Sequence, residues 1–146
     1  MPRPDPEELP EWEDGTVAIL STGGGAPHAI PVSTGVRAGP GAVLIALARR
    51  RESLARLRTD PHVALTLMTA GDVAVTAHCR ARVVADPMAI SDRVAAVRLD
   101  VERVQDHGQP RFVIDAGVRW HWTEDAARER DDEIRAALRE LAVSPP

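Results

Sequence analysis

A mainly β fold is predicted: an antiparallel barrel of about six or seven strands, with short connecting helices and a C-terminal helix. Three observations predict it. Short apolar runs recur between residues 15 and 122, and turns rich in glycine, proline and aspartate separate them. Apolar spacing of the helical kind is confined to three stretches. Many short strands joined by tight turns close most readily into a barrel.

Taken in order, residues 15–22 (GTVAILST) form a first strand ending in Gly23-Gly24-Gly25, a turn signal. Residues 28–37 resume as a second strand, so the pair makes a hairpin, and Gly39-Pro40-Gly41 is the next turn. Residues 42–48 (AVLIALA) are continuously apolar, which suits a strand buried on both faces. Residues 52–59 predict a short helix with Leu54 and Leu57 on one side, stopped by Asp60-Pro61. Residues 62–69 and 73–85 are the fourth and fifth strands, turned by Ala70-Gly71-Asp72. Asp86-Pro87 reads as the start of a second helix, Asp as N-cap and Pro at the first position, with Ile90, Val94 and Val97 on one face. Val97, Leu99 and Val101 alternate with charged residues as in a half-buried strand. Phe112, Ile114, Val118, Trp120 and Trp122 share one face of a last strand. A third helix spans about 125–141, with acids in its first turn to suit the helix dipole and Ile134, Ala137, Leu138 and Leu141 on its apolar face. That face must dock on the chain's own barrel or on a partner's.

The chain has 146 residues, near the usual size of one domain, with no repeat and no linker that divides it. Residues 1–14 form an acidic segment and residues 124–146 the C-terminal helix and tail. The net charge of −4 hides a division: the two ends carry −5 and −3, while residues 15–123 carry +4. So weak a cationic face argues against nucleic acid and leaves room for a small anionic ligand. Cys79 is the only thiol, no apolar run approaches the roughly 20 residues of a membrane span, and the N-terminus is unlike a targeting signal. A cytoplasmic protein with no membrane contact is expected. Lysine is absent, which excludes lysine-linked pyridoxal-phosphate chemistry.

Arg49-Arg50-Arg51, followed by Glu52-Ser53, lies where a buried strand gives way to a helix. Guanidinium groups bind phosphate oxygens in pairs, free N–H groups at a helix start attract anions, and a serine hydroxyl adds a donor. The same arginines also suit a plain solvated basic loop.

Three segments in order, GTVAILSTGGGAPHAIPVST, AVLIALARRRESLARLRTDPHVALTLMT and DVAVTAHCRARVVADP, resemble the pyridoxamine 5'-phosphate oxidase-like split barrels, a group with FMN-dependent, F420-dependent and haem-handling members. The resemblance covers about residues 15–87. Its strongest motif is L-x-x-D-P-x-V-A-L, here Leu57, Asp60, Pro61, Val63, Ala64 and Leu65. It implies a split antiparallel barrel, a homodimer with the cofactor between subunits, and hydride transfer through bound FMN on a small-molecule redox substrate. It places the cofactor phosphate by Arg50, Arg51 and Ser53, and the flavin edge along Val32, Ser33, Thr34, Ile45, Ala46 and Leu47. Arg51 matches a common family arginine. Ser53 and Arg56 stand where the family often has a basic residue and an asparagine, which is compatible with another anionic cofactor or none. The alternatives are an F420-dependent reductase, to whose acidic tail Arg49, Arg56 and Arg58 are suited, and a non-catalytic ligand- or haem-binding barrel or cofactor-free dimer.

Trp120 and Trp122 either cover a flavin ring or other ligand or pack in the core or the dimer interface. His28, His62, His78, His107 and His121 fall in no metal-ligand pattern, so no metal is expected. His28 reads as packing at a strand start. His78 and Cys79 are adjacent in a strand and point to opposite faces, so they make no dyad. No catalytic acid–base pair stands out, as expected where the cofactor carries the chemistry.

Overall fold

The structure is a computed structural model that describes residues 5–143, so the expectations for residues 1–4 and 144–146 lie outside the described residues. The elements are β1 (Ala18–Thr22), β2 (His28–Val32), β3 (Val36–Arg37), β4 (Ala42–Ala48), α1 (Glu52–Thr59), β5 (His62–Thr69), β6 (Val73–Ala85), β7 (Val94–Asp106) and α2 (Asp125–Val143). The strands form one antiparallel sheet in the order β2-β1-β5-β6-β7-β4-β3. Its edge strands are β2 and β3, yet only residues 33–35 separate them in the chain. Three residues reach about 10 Å, so the sheet must curl until its edges approach. Thr34 fastens the seam: its Oγ1 accepts from the Ala46 N–H at 3.1 Å and donates to the Ala46 carbonyl at 3.2 Å.

Alternation on β4 divides the apolar residues between two cores. Val43, Ile45 and Leu47 point into the curl beside Leu20, Leu65, Val97 and Leu99. Leu44 points outward with Val36, Met88 and Ala96, and Ile134 and Leu138 of α2 cover them. The AVLIALA run is thus buried on both faces. The C-terminal helix docks on its own sheet, over β3 and β4.

Three expectations need correction. No helix follows Asp86. The Asp86 carboxylate takes Arg49 and Arg58 instead of capping N–H groups, and the Met88 N–H bonds the Val94 carbonyl in a tight turn. Val94 and Val97 instead pair with Ala48 and Ile45, making β7 a strand of 13 residues. The second strand breaks at residues 33–35, where the chain crosses the seam. Residues 112–122 form no strand. They run as an extended strap held at points: the Asp72 N–H donates to the Ile114 carbonyl, the Ile114 N–H to Asp72 Oδ1, and Trp120 to Gly15. Without ladder partners, its alternating apolar residues stay outside, and Phe112, Val113 and Val118 are exposed. Among the described residues no helix is long and apolar enough to cross a membrane.

Candidate functional site

Three consecutive arginines fill the corner between β4 and α1. Arg49 donates to Asp86 Oδ1 at 2.5 Å and to the Asp92 carbonyl at 3.2 Å. Arg58, at the end of α1, holds the other oxygen of the same carboxylate. Hydrogen bonds from Arg58 and then Arg49 hold the Asp86 carboxyl below its ordinary value, against the desolvation that would raise it. This clamp ties α1 to the loop before β7 and walls a cavity of about 830 Å³ that Arg50 and Arg93 also line. Among the described residues the Arg50 and Arg93 side chains have no hydrogen bond or ion pair. Sequence reading missed Arg93 and the Arg58–Asp86 contact. Both come from segments distant in sequence, and Asp86 beside a proline reads locally as a helix cap.

The other corner residues go elsewhere. Arg51 is the N-cap of α1, exposed, and outside the lining of that cavity. Ser53 is fully buried, its Oγ 3.4 Å from Nδ1 of His28, whose Nε2 lies 3.2 Å from Glu52. His28 therefore packs at the start of β2 and joins β2 to α1. Arg56 donates to the Ala26 carbonyl and to Glu52.

Along the seam, Val32, Ile45 and Leu47 are part of the inner core. Ala46 faces outward beneath α2. The Ser33 carbonyl accepts from Arg135 of α2 at 3.1 Å, and Thr34 occupies both backbone groups of Ala46. Arg135 and Asp131 form a buried pair at 3.0 Å, and the Arg135 Nε has no partner. A phosphate thus fits the arginine cavity, where two guanidinium groups stand unpartnered. Ser33 and Thr34 are half-buried, and Ala46 lies beneath α2.

Trp120 and Trp122 lie away from the arginine corner, in a cleft of about 550 Å³ between the strap, residues 13–17 ahead of β1, the end of β5 and α2, where Arg135 also lines it. They are 37% and 43% exposed, so they belong to neither core. Their ring centroids are 5.4 Å apart at 83°, and the Trp120 indole N–H donates to the Gly15 carbonyl at 2.8 Å. Elsewhere, burial above all pushes the Cys79 thiol up to about 12, while His78 bonds Gln105. A nucleophilic pair at that point has no thiolate to work with. No cluster that could hold a metal occurs among the described residues.

No family model and no curated protein matches the chain. Solved structures do match. A Lactobacillus delbrueckii protein provisionally named a pyridoxamine 5'-phosphate oxidase is 20% identical over 72% of this chain and 99% of its own, with a TM-score of 0.58. An F420 reductase is 13% identical over 66% of this chain and 98% of its own, with a TM-score of 0.55. A heme-binding protein from Mycobacterium smegmatis is 18% identical over 68% of this chain and 51% of its own, with a TM-score of 0.52. Likenesses at this level of identity show the fold, a split barrel of the pyridoxamine 5'-phosphate oxidase-like type.

Proposed function

We propose that this chain binds a phosphate-bearing flavin-type cofactor at the β4–α1 corner and serves as an oxidoreductase, with FMN the leading choice. The observation that carries the reading is the pair of unpartnered guanidinium groups, Arg50 and Arg93, facing one polar cavity of a split barrel. When bound, the cofactor supplies hydride transfer. Arg50 and Arg93 hold its phosphate. Arg49 and Arg58, braced on Asp86, fix the cavity wall and leave the free pair to the ligand. Ring contact falls to the half-buried Ser33 and Thr34, since Ala46 is covered by α2.

F420 is the alternative, and its longer acidic tail calls on more arginines. Arg49, Arg56 and Arg58 already hold Asp86, Ala26 and Glu52, which favours FMN. A homodimer acting on a small-molecule redox substrate completes the reading, with the exposed Phe112 and Val113 available to a second copy.

The test is titration of the purified chain with FMN, F420 and haem, followed by absorption spectra. Saturable FMN binding is expected, weakened about tenfold by Arg50→Ala or Arg93→Ala with the circular dichroism unchanged. Unchanged FMN affinity in both variants overturns the corner. No spectral response to any of the three ligands overturns the cofactor reading and leaves a basic loop. A Soret band that a His→Ala change removes would assign the barrel to haem instead.

A further inference from the structure

The cleft under Trp120 and Trp122 shares no lining residue with the arginine cavity, and its construction calls for an occupant of its own. At about 550 Å³ it is within the ordinary range of small-molecule sites. Its aromatic wall is held at Gly15 and, through the strap, on β5. The Trp120 indole is tied to the Gly15 carbonyl and lies against Gly15, where a Cβ would come within 3.4 Å of the ring. Gly15 has φ +83, a conformation that glycine adopts without strain. Gly117 passes so close to the Met68 carbonyl that a Cβ there would stand 2.8 Å from its oxygen, so the strap lies directly on β5. Two half-exposed indoles at right angles, Trp120 anchored and Trp122 set edge-on to it, offer one face for stacking and one for an edge contact.

The charges around the cleft decide what else the occupant carries. Four carboxylates line it, but Asp131 and Asp132 both face Arg135, and Asp14 is held by Arg139. Only Glu13 is left over among them. On the cationic side, Arg119 has no partner among the described residues, and Arg128 has only a 3.5 Å contact with the exposed Asp125. The uncommitted charge is therefore positive and lies on the strap and the first turn of α2, beside the indoles. We infer that this cleft binds a planar aromatic carboxylate, its ring stacked on the tryptophans and its carboxylate on Arg119 and Arg128.

The test uses the full chain with 2-naphthoate, its neutral amide 2-naphthamide, and benzyltrimethylammonium as an aromatic cation, followed by calorimetry and by the indole N–H signals. The chain has three tryptophans, each giving one indole signal. Trp12 bonds Gly35 outside the cleft and serves as the internal control. Naphthoate is expected to bind saturably and to shift the Trp120 and Trp122 signals but not that of Trp12. The amide should bind about tenfold more weakly, and Arg119→Gln should shrink that difference without altering the fold, since its side chain is exposed. Trp122→Leu should weaken both ligands about tenfold, and Arg50→Ala should leave both unaffected, which separates this site from the FMN corner. Equal affinity for acid and amide, or preference for the cation, overturns the inference. So does a Trp122 signal that moves with protein concentration and not with ligand, which would make the cleft a contact between two copies.

Discussion

Leu138→Ala tests whether α2 is held on its own sheet, on which the account of the seam depends. Leu138 is 0% exposed and packs with Val36, Leu44, Met88, Ala96 and Ile134. The substitution deletes three carbon groups, at about 0.8 kcal/mol each, so the transfer loss is about 2.4 kcal/mol. A residual cavity brings measured Leu→Ala costs to about 2–5 kcal/mol. Because α2 is one helix laid on an outer face, it can settle inward or come away, so the expected loss is near the lower end, about 2.5–3.5 kcal/mol. The assay is urea unfolding followed by circular dichroism, with amide exchange to show where protection is lost. Exchange should speed up first in α2 and at the Ala46 N–H, which Thr34 holds beneath that helix. A midpoint shift worth less than about 1 kcal/mol would refute the reasoning, because so small a cost is typical of a surface position. Loss of protection in β1 and β5 ahead of α2 would refute it equally, since those strands belong to the inner core.

Other consequences can be measured directly. Gly15→Ala puts an L-residue at φ +83 and a methyl group 3.4 Å from the Trp120 ring, so about 1–2 kcal/mol of stability should be lost, with a change in the Trp120 indole signal. Arg135→Met leaves Asp131 buried without its partner and should cost about 3–5 kcal/mol in denaturant unfolding, with Asp131→Asn in the same chain recovering much of it. The Cys79 thiol is raised to about 12 when folded, above its unfolded value of roughly 8.5, so the folded state keeps a proton that the unfolded chain loses. Its contribution is complete below about pH 8.5 and falls as pH rises toward 12, and alkylation at pH 8 should therefore wait for unfolding. Cys79→Ser or Ala should flatten that alkaline decline. Protonating Asp86, whose carboxyl is held low, should loosen the Arg49–Arg58 clamp only as pH falls below the ordinary carboxylate range of roughly 4, read as a change in FMN affinity.

Local patterns in the sequence were enough for the fold class, the β1–β2 hairpin, α1, the double burial of β4 and the apolar face of α2. Each of these depends on neighbours within a few residues, through turn chemistry, alternation or helical spacing. The stretch after Asp86 shows where local reading stops. Asp-Pro followed by spaced apolar residues suits a helix N-terminus, but pairing of Val94–Asp106 with both β4 and β6 supplies a ladder of hydrogen bonds that no local preference outweighs. The strap at 112–122 is the converse, since alternation without an adjacent free strand edge yields no strand. At the candidate site, the arginine run was visible as a run, but not the division of labour within it. Only the fold decided that Arg49 goes to Asp86, that Arg50 meets Arg93, that Ser53 is buried against His28, and that α2 lies over the seam. Charge and hydrogen-bond partners are set by distances through space, and the curl of the sheet that brings residues 28 and 52, or 49 and 86, together leaves no periodic mark in the chain.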